Sequence, residues 1–143
     1  MILPDVNVLI DAFRKDAVRH NLSNYWLNSV VDSTVPFGIS RLVLAAVIRL
    51  TTDRRVYKDP SSLSEAMNFA NYLLDQPHCR TIEPGEVHWD IFTRLCVETN
   101  TTGPRITDAW YAALAIEHDC EWITFDRDFA RFPGLKFSAP TAP

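Results

Sequence analysis

The chain begins with the stretch ILPDVNVLIDAF (residues 2–13), in which a short apolar run ends at Asp5 and a helical pattern follows. Residues 2–4 suit a buried strand, with Pro4 restricted to its end or to an unpaired side because proline has no backbone N–H. Residues 6–13 then have the spacing of a helix. This strand, aspartate and helix form the first unit of the predicted fold.

Strand and helix patterns alternate along the rest of the chain. Further strands are predicted at residues 35–39, 81–82, 122–125 and 135–137. Residues 42–50 are apolar nearly all round, which predicts a buried helix, and Thr107 is the predicted cap of an alanine-rich helix. This alternation favours an α/β fold, a three-layer α/β/α sandwich with a mostly parallel central sheet. In such sheets, ligands bind beyond the carboxyl ends of the strands.

Length and composition are typical of one folded domain. The 143 residues are 47% hydrophobic and 22% charged, and we predict a single domain over residues 1–138 with a flexible tail over residues 139–143. We find no signal-peptide pattern and no apolar run long enough to span a membrane. The three cysteines lack CxxC spacing, which predicts reduced thiols and a cytoplasmic protein. The net charge of −4 argues against a general nucleic-acid-binding protein, but a nuclease can concentrate its acids at a metal.

Three aspartates are predicted to meet at the carboxyl edge of the sheet. Asp5 and Asp126 each follow a strand, and Asp108 opens the alanine-rich helix. Taken singly, each is a good candidate for a helix cap. Taken together they favour a cluster, because acids beside an apolar core are costly without a cation. Mg²⁺ and Mn²⁺ prefer carboxylate oxygens, and such ions promote phosphodiester cleavage by activating water and stabilising the leaving oxygen.

Three blocks of the sequence resemble the PIN-domain family. They are LPDVNVLID (3–11), ITDAWYAALA (106–115) and ITFDRDF (123–129), in the family's order, and FPGL (132–135) matches the usual end of these chains. The single-domain length and the stretch IRLTTDRRVY (48–57) resemble the VapC-like toxins. The resemblance implies an Mg²⁺- or Mn²⁺-dependent endoribonuclease that cuts structured RNA such as tRNA or ribosomal RNA. It also implies a homodimer and a small antitoxin that blocks the site.

The resemblance also implies roles for residues at matching positions. The metal-binding catalytic acids would be Asp5, Asp108 and Asp126. A second group would support the site through hydrogen bonds or lie at its edge: Asn7, Thr124 and Ser40. For Asn7 and Thr124, local turn or cap bonding remains an open alternative.

One position differs from the family pattern. PIN nucleases carry a glutamate early in the helix after Ser40, and Ala46 stands about there. Asp128 could partly replace it as a catalytic acid, or it could be a solvated residue at a helix start. The missing acid favours one metal over two. It also leaves open a non-catalytic or weakly active binding module as the alternative function.

The sequence suggests two weaker hypotheses. The DxD at residues 126–128 is found in phosphatases with an aspartyl nucleophile, but those enzymes place it after the first strand, and only 15 residues follow Asp128. Arg14 and Arg41 are predicted near the mouth of the crevice, where they could bind RNA phosphates. A solvated charged surface is the alternative for both arginines.

Overall fold

The computed structural model describes residues 1–143 as five short strands and six α-helices. The strands are β1 Ile2–Pro4, β2 Phe37–Ile39, β3 Cys79–Thr81, β4 Glu121–Ile123 and β5 Phe137–Ser138. The helices are α1 Val6–Phe13, α2 His20–Asp32, α3 Arg41–Thr51, α4 Leu63–Leu74, α5 His88–Thr99 and α6 Arg105–Glu117. A short 3₁₀ helix spans Arg127–Arg131.

All strand pairs are parallel, which confirms the predicted α/β class. β4 lies between β1 and β5, and β2 pairs with β3. β2 also lies beside β1, because a Cβ on Gly38 would meet the Ile2 carbonyl oxygen at 3.2 Å. Since the Asp5 N–H donates to the Ile123 carbonyl of β4, the Pro4 nitrogen points towards β2. Proline has no hydrogen to donate there, so the hydrogen-bonded ladder is interrupted between β1 and β2.

The core fixes the end of β4 against α6. The Trp122 ring is fully buried, stacks on Tyr111 of α6 at 5.3 Å and lies 5.7 Å from the Phe129 ring. Elsewhere α1 packs against α2 and α3, and α5 packs against α6. Burial of aromatic rings of this size is among the largest contributions to a core. The residues that follow β4 are therefore held in a defined position next to α6.

Helix α6 begins earlier than the sequence pattern indicates. Its first residue is Arg105, after Pro104, so the prediction of Thr107 as its cap was wrong. Pro104 has φ −60°, already helical, and proline at a helix start loses no intrahelical hydrogen bond. Asp108 thus lies within the first turn of α6, and Arg105 lies three residues before it. This places a cation beside the predicted acidic cluster.

Two other helices complete this description. Ser62 and Glu65 form a capping box at the start of α4. Helix α3 is buried on one side only, since Leu42 and Arg49 are exposed, so the prediction of all-round burial was wrong.

No helix of the structure has the length and apolar character needed to cross a membrane. Beyond β5 the last five residues have no regular secondary structure.

Candidate active site

Asp5 is a buried carboxylate at the junction of β1 and α1. It is 6% exposed, and its Oδ1 accepts the Val6 N–H at 2.6 Å, as expected of a helix cap. Its Oδ2 accepts the Thr124 hydroxyl at 2.6 Å. Burial raises the pKa of Asp5 to about 6, opposed by these hydrogen bonds and reinforced by the charges of Asp108 and Asp126. Asp5 takes part in none of the salt bridges of the structure, so its negative charge lacks a cationic partner.

Asn7 and Thr124 tie the ends of β1 and β4 together. The Asn7 amide donates to Asp5 Oδ2 at 3.2 Å and to Thr124 Oγ1 at 3.1 Å, and its oxygen accepts the Phe125 N–H at 3.2 Å. Thr124 Oγ1 also accepts the Asp126 N–H at 3.0 Å. The bonds that join Asn7 to Thr124, Asn7 to Phe125 and Thr124 to Asp5 each link residues more than 100 positions apart, so the two side chains do more than form local turn bonds. They hold the Asp5 carboxylate in one orientation.

Asp108 and Asp126 bring two more carboxylates to the same region. Burial, and after it the charge of Asp126, raises the pKa of the half-buried Asp108, while Arg105 opposes the shift. Asp126 caps the 3₁₀ helix, because its Oδ1 accepts the Asp128 N–H at 2.9 Å. The negative charges of Asp108 and Asp126 both raise the pKa of Asp5. The three predicted acids therefore influence one another's titration.

A guanidinium group faces the acids. Arg105 Nη1 lies 3.6 Å from Asp108 Oδ2 and 3.8 Å from Asp126 Oδ2, and Nη2 forms a salt bridge with Asp128. In this arrangement no three His, Cys, Asp or Glu side chains have the spacing of a metal site. Sequence reasoning missed Arg105. One signal in the sequence could have identified it. An arginine stands three residues before Asp108 in the first turn of a helix, where the helix dipole disfavours a cation.

The position of the missing glutamate is apolar. Ala46 lines a groove of about 490 Å³ between α3 and α6, together with Tyr111 and other residues of the two helices. Burial, and then the charges of Asp5 and Asp108, raises the pKa of Tyr111 to about 12, so its hydroxyl stays neutral. Ser40 is buried and caps α3 through the N–H of the third residue of that helix at 3.4 Å. No carboxylate replaces the glutamate on this side of the site.

The two arginines predicted to bind RNA both pair with acids of this chain. Arg14 is 8% exposed, and its guanidinium donates to Asp16 at 2.8 and 2.9 Å, to Ser61 at 3.0 Å and to the Asp59 carbonyl at 2.8 Å. These contacts give Arg14 a structural role in packing the loop before α4 against the end of α1. Arg41 is exposed and forms a 2.7 Å salt bridge with a glutamate that follows β3. Neither side chain contacts the acidic cluster.

Two further arginines belong to this region. Arg19 packs over the ring of Phe125, the residue before Asp126, at 4.4 Å from its centroid. The charge of Arg131 lowers the pKa of Asp108. Basic side chains beside a group of acids can attract an anionic chain while the acids attract a cation.

The fold and the acidic site define a PIN domain. A family profile described as PIN domain matches residues 2–135, so the chain belongs to the PIN-domain family. The chain is 38% identical over 140 residues to ribonuclease VapC25 of Mycobacterium tuberculosis, an alignment that covers 98% of this chain and 99% of the relative. Within the family, the chain belongs to the VapC ribonucleases.

Solved structures share the fold. Mycobacterium tuberculosis VapC20, described as a sarcin-ricin loop cleaving toxin, superposes with a TM-score of 0.66 at 16% identity, covering 91% of this chain and 93% of that one. A chain of a toxin-antitoxin complex from Klebsiella pneumoniae superposes with a TM-score of 0.65 at 20% identity, covering 99% and 98%. At this level of identity, the likeness concerns the fold alone.

Proposed function

We propose that this chain is the toxin of a toxin–antitoxin pair and that it cuts structured RNA in a reaction that depends on Mg²⁺ or Mn²⁺. The ion would be held by Asp5, Asp108 and Asp126. Asp5 carries the proposal: it is a buried carboxylate with no cationic partner and two further acids nearby. Buried charges in proteins are usually paired or bound to a metal ion, and divalent cations such as Mg²⁺ prefer carboxylate oxygens as ligands.

The surrounding residues suit the proposed role of Asp5. Thr124 and Asn7 donate to the same carboxylate oxygen, which fixes its direction before any ligand binds. Support of this kind around a metal ligand typically changes metal affinity or activity by about 10- to 100-fold. A bound divalent cation supplies Lewis-acid stabilisation of phosphate oxygens and activates water. Three acids and no glutamate at Ala46 favour a single ion over a pair.

The proposed substrate and partners rest on the relatives. The description of VapC20 as a sarcin-ricin loop cleaving toxin favours ribosomal RNA, and tRNA is the other structured substrate we propose. The complex from Klebsiella pneumoniae favours a cognate antitoxin. An antitoxin with a basic side chain would complement the acidic centre. We propose a homodimer acting in the cytoplasm, where the three free thiols would stay reduced.

A weakly active or non-catalytic binding module is the second candidate function. The observation that favours it is the apolar lining at Ala46, which leaves the site one acid short of the family pattern. Such a module would bind RNA or its antitoxin through the same face without cutting RNA.

RNA cleavage in the presence and absence of metal tests the proposal. Purified protein is incubated with tRNA and with ribosomal RNA fragments in Mg²⁺ or Mn²⁺, and in parallel with excess EDTA. We expect discrete cleavage products with metal and none with EDTA, and inhibition by a cognate antitoxin. Binding of RNA without cleavage under every condition would support the binding module and contradict the enzyme.

A further inference from the structure

We propose that Arg105 is a phosphate-binding residue of this active site and that Asp128 is the positioning residue that holds it. The inference rests on the proposed function and adds a substrate-binding group to it. It also gives Asp128 a role other than replacing the missing glutamate. The guanidinium of Arg105 lies between three carboxylates and solvent, with its side chain 40% exposed.

Helix stability does not explain an arginine at this position. Arg105 is the first residue of α6, where the unpaired N–H groups already carry partial positive charge. A cation there is unfavourable unless acids compensate it. One compensating acid, Asp108, lies three residues further along α6, and the others, Asp126 and Asp128, lie in the segment after β4. The contacts of Arg105 with these acids, and not the stability of the helix start, therefore explain the arginine at this position.

The hydrogen-bonding capacity of Arg105 is largely free. Its one hydrogen bond joins Nη2 to Asp128. Nη1 is 3.6 Å from Asp108 and 3.8 Å from Asp126, which is beyond hydrogen-bond distance. Arg14 provides the contrast, because Asp16, Ser61 and Asp59 occupy its guanidinium. A guanidinium presents five N–H donors in a planar fork that matches a phosphate group.

The salt bridge with Asp128 restrains the orientation of the Arg105 guanidinium. The Asp128 N–H is itself held by Asp126, so the carboxylate that anchors Arg105 is part of the segment that carries a proposed metal ligand. An RNA phosphate brought to the acidic centre would meet the free donors of Arg105 at its rim. An arginine that acted only as a counter-charge to the acids would not need the salt bridge with Asp128 or unpaired N–H donors.

RNA affinity measured over a series of salt concentrations tests this inference. The probe is a fluorescein-labelled RNA hairpin, bound in Mn²⁺ by an Asp5→Asn parent that is expected not to cut it. Adding Arg105→Gln is expected to raise Kd about 10-fold and to reduce the slope of log Kd against log salt by about one, because one phosphate contact is lost. Adding Asp128→Asn should weaken binding about threefold, and Arg105→Lys should restore part of the affinity.

A matched variant controls for net charge. Arg94 is exposed on α5 and forms no salt bridge, so Arg94→Gln in the same parent removes one positive charge and should change Kd less than about twofold. An Arg105→Gln variant with unchanged Kd and slope would overturn the inference. If thermal melting shows that Arg105→Gln does not fold, an unchanged Kd of Asp128→Asn would overturn it instead. Failure of the wild type to cleave RNA would contradict the proposed function separately.

Discussion

The variant Asp5→Asn is expected to lose metal-dependent RNA cleavage by at least about 100-fold, the largest effect on activity in this protein. Asparagine keeps the size of the side chain, and its oxygen can still accept the Val6 N–H. Its NH2 group replaces the oxygen that accepts from Thr124 and Asn7, and the charge that would bind a divalent cation is lost. Initial rates in Mn²⁺, on whichever tRNA or ribosomal RNA fragment the wild type cuts, measure the loss.

The matched control is Asp32→Asn. Asp32 is exposed at the end of α2, so its replacement changes the same charge without touching the acidic centre. We expect this control to cleave within about threefold of the wild type. Cleavage by Asp5→Asn at the rate of the control would show that the metal, if one acts, is not held by Asp5.

Asp5→Asn is also expected to gain stability relative to the wild type as pH rises in EDTA, by about 3 kcal/mol between pH 4 and pH 8. Burial raises the pKa of Asp5 from 3.8 to about 6, and each unit corresponds to about 1.4 kcal/mol. The raised pKa means that the folded state holds the proton more tightly than the unfolded state. The stability that the protonated carboxyl contributes is therefore complete below about pH 4 and is lost as pH rises through about 6. Above that range, the wild type carries the cost of an unpaired buried charge and the asparagine variant does not.

Urea unfolding followed by tryptophan fluorescence measures this effect. The difference in unfolding free energy between Asp5→Asn and the wild type should change least below pH 4 and should grow in favour of the variant between pH 4 and pH 7. Comparing the two proteins at each pH cancels the titration of the exposed acids. Saturating Mn²⁺ should stabilise the wild type at pH 8 and reduce the difference. A difference that does not depend on pH would contradict the description of Asp5 as an unpaired buried carboxylate.

The sequence was most informative where strands end at polar residues. Asp5 follows β1 directly, and its pairing with Thr124 follows from the parallel register of β1 and β4. β4 itself ends at Ile123, before the predicted boundary, so Thr124 and Phe125 form a link to Asp126. The apolar runs at β1 and β4 correctly predicted buried strands, because a parallel strand covered on both faces is apolar along its length.

Residues whose roles depend on distant partners were harder to predict. Arg14 and Arg105 have the same chemistry, yet one is buried by the loop before α4 and the other lies among three acids. The start of α6 decides the position of Arg105, and Pro104 sets that start through its backbone angle. Spacing along the chain does not encode such contacts. The side of α3 that carries Ala46 and Arg49 was misjudged for the same reason, because burial there depends on the neighbouring helix α6.

Anomalous scattering from crystals grown with Mn²⁺ tests the central claim most directly. We expect one strong peak at the manganese edge, within about 2.0 to 2.3 Å of a carboxylate oxygen of Asp5, with Asp108 or Asp126 completing the protein ligands. Arg105 should have moved away from Asp108 and Asp126 while remaining paired with Asp128. A map with no peak beside Asp5, in a protein that still cleaves RNA in Mn²⁺, would contradict the assignment of these acids.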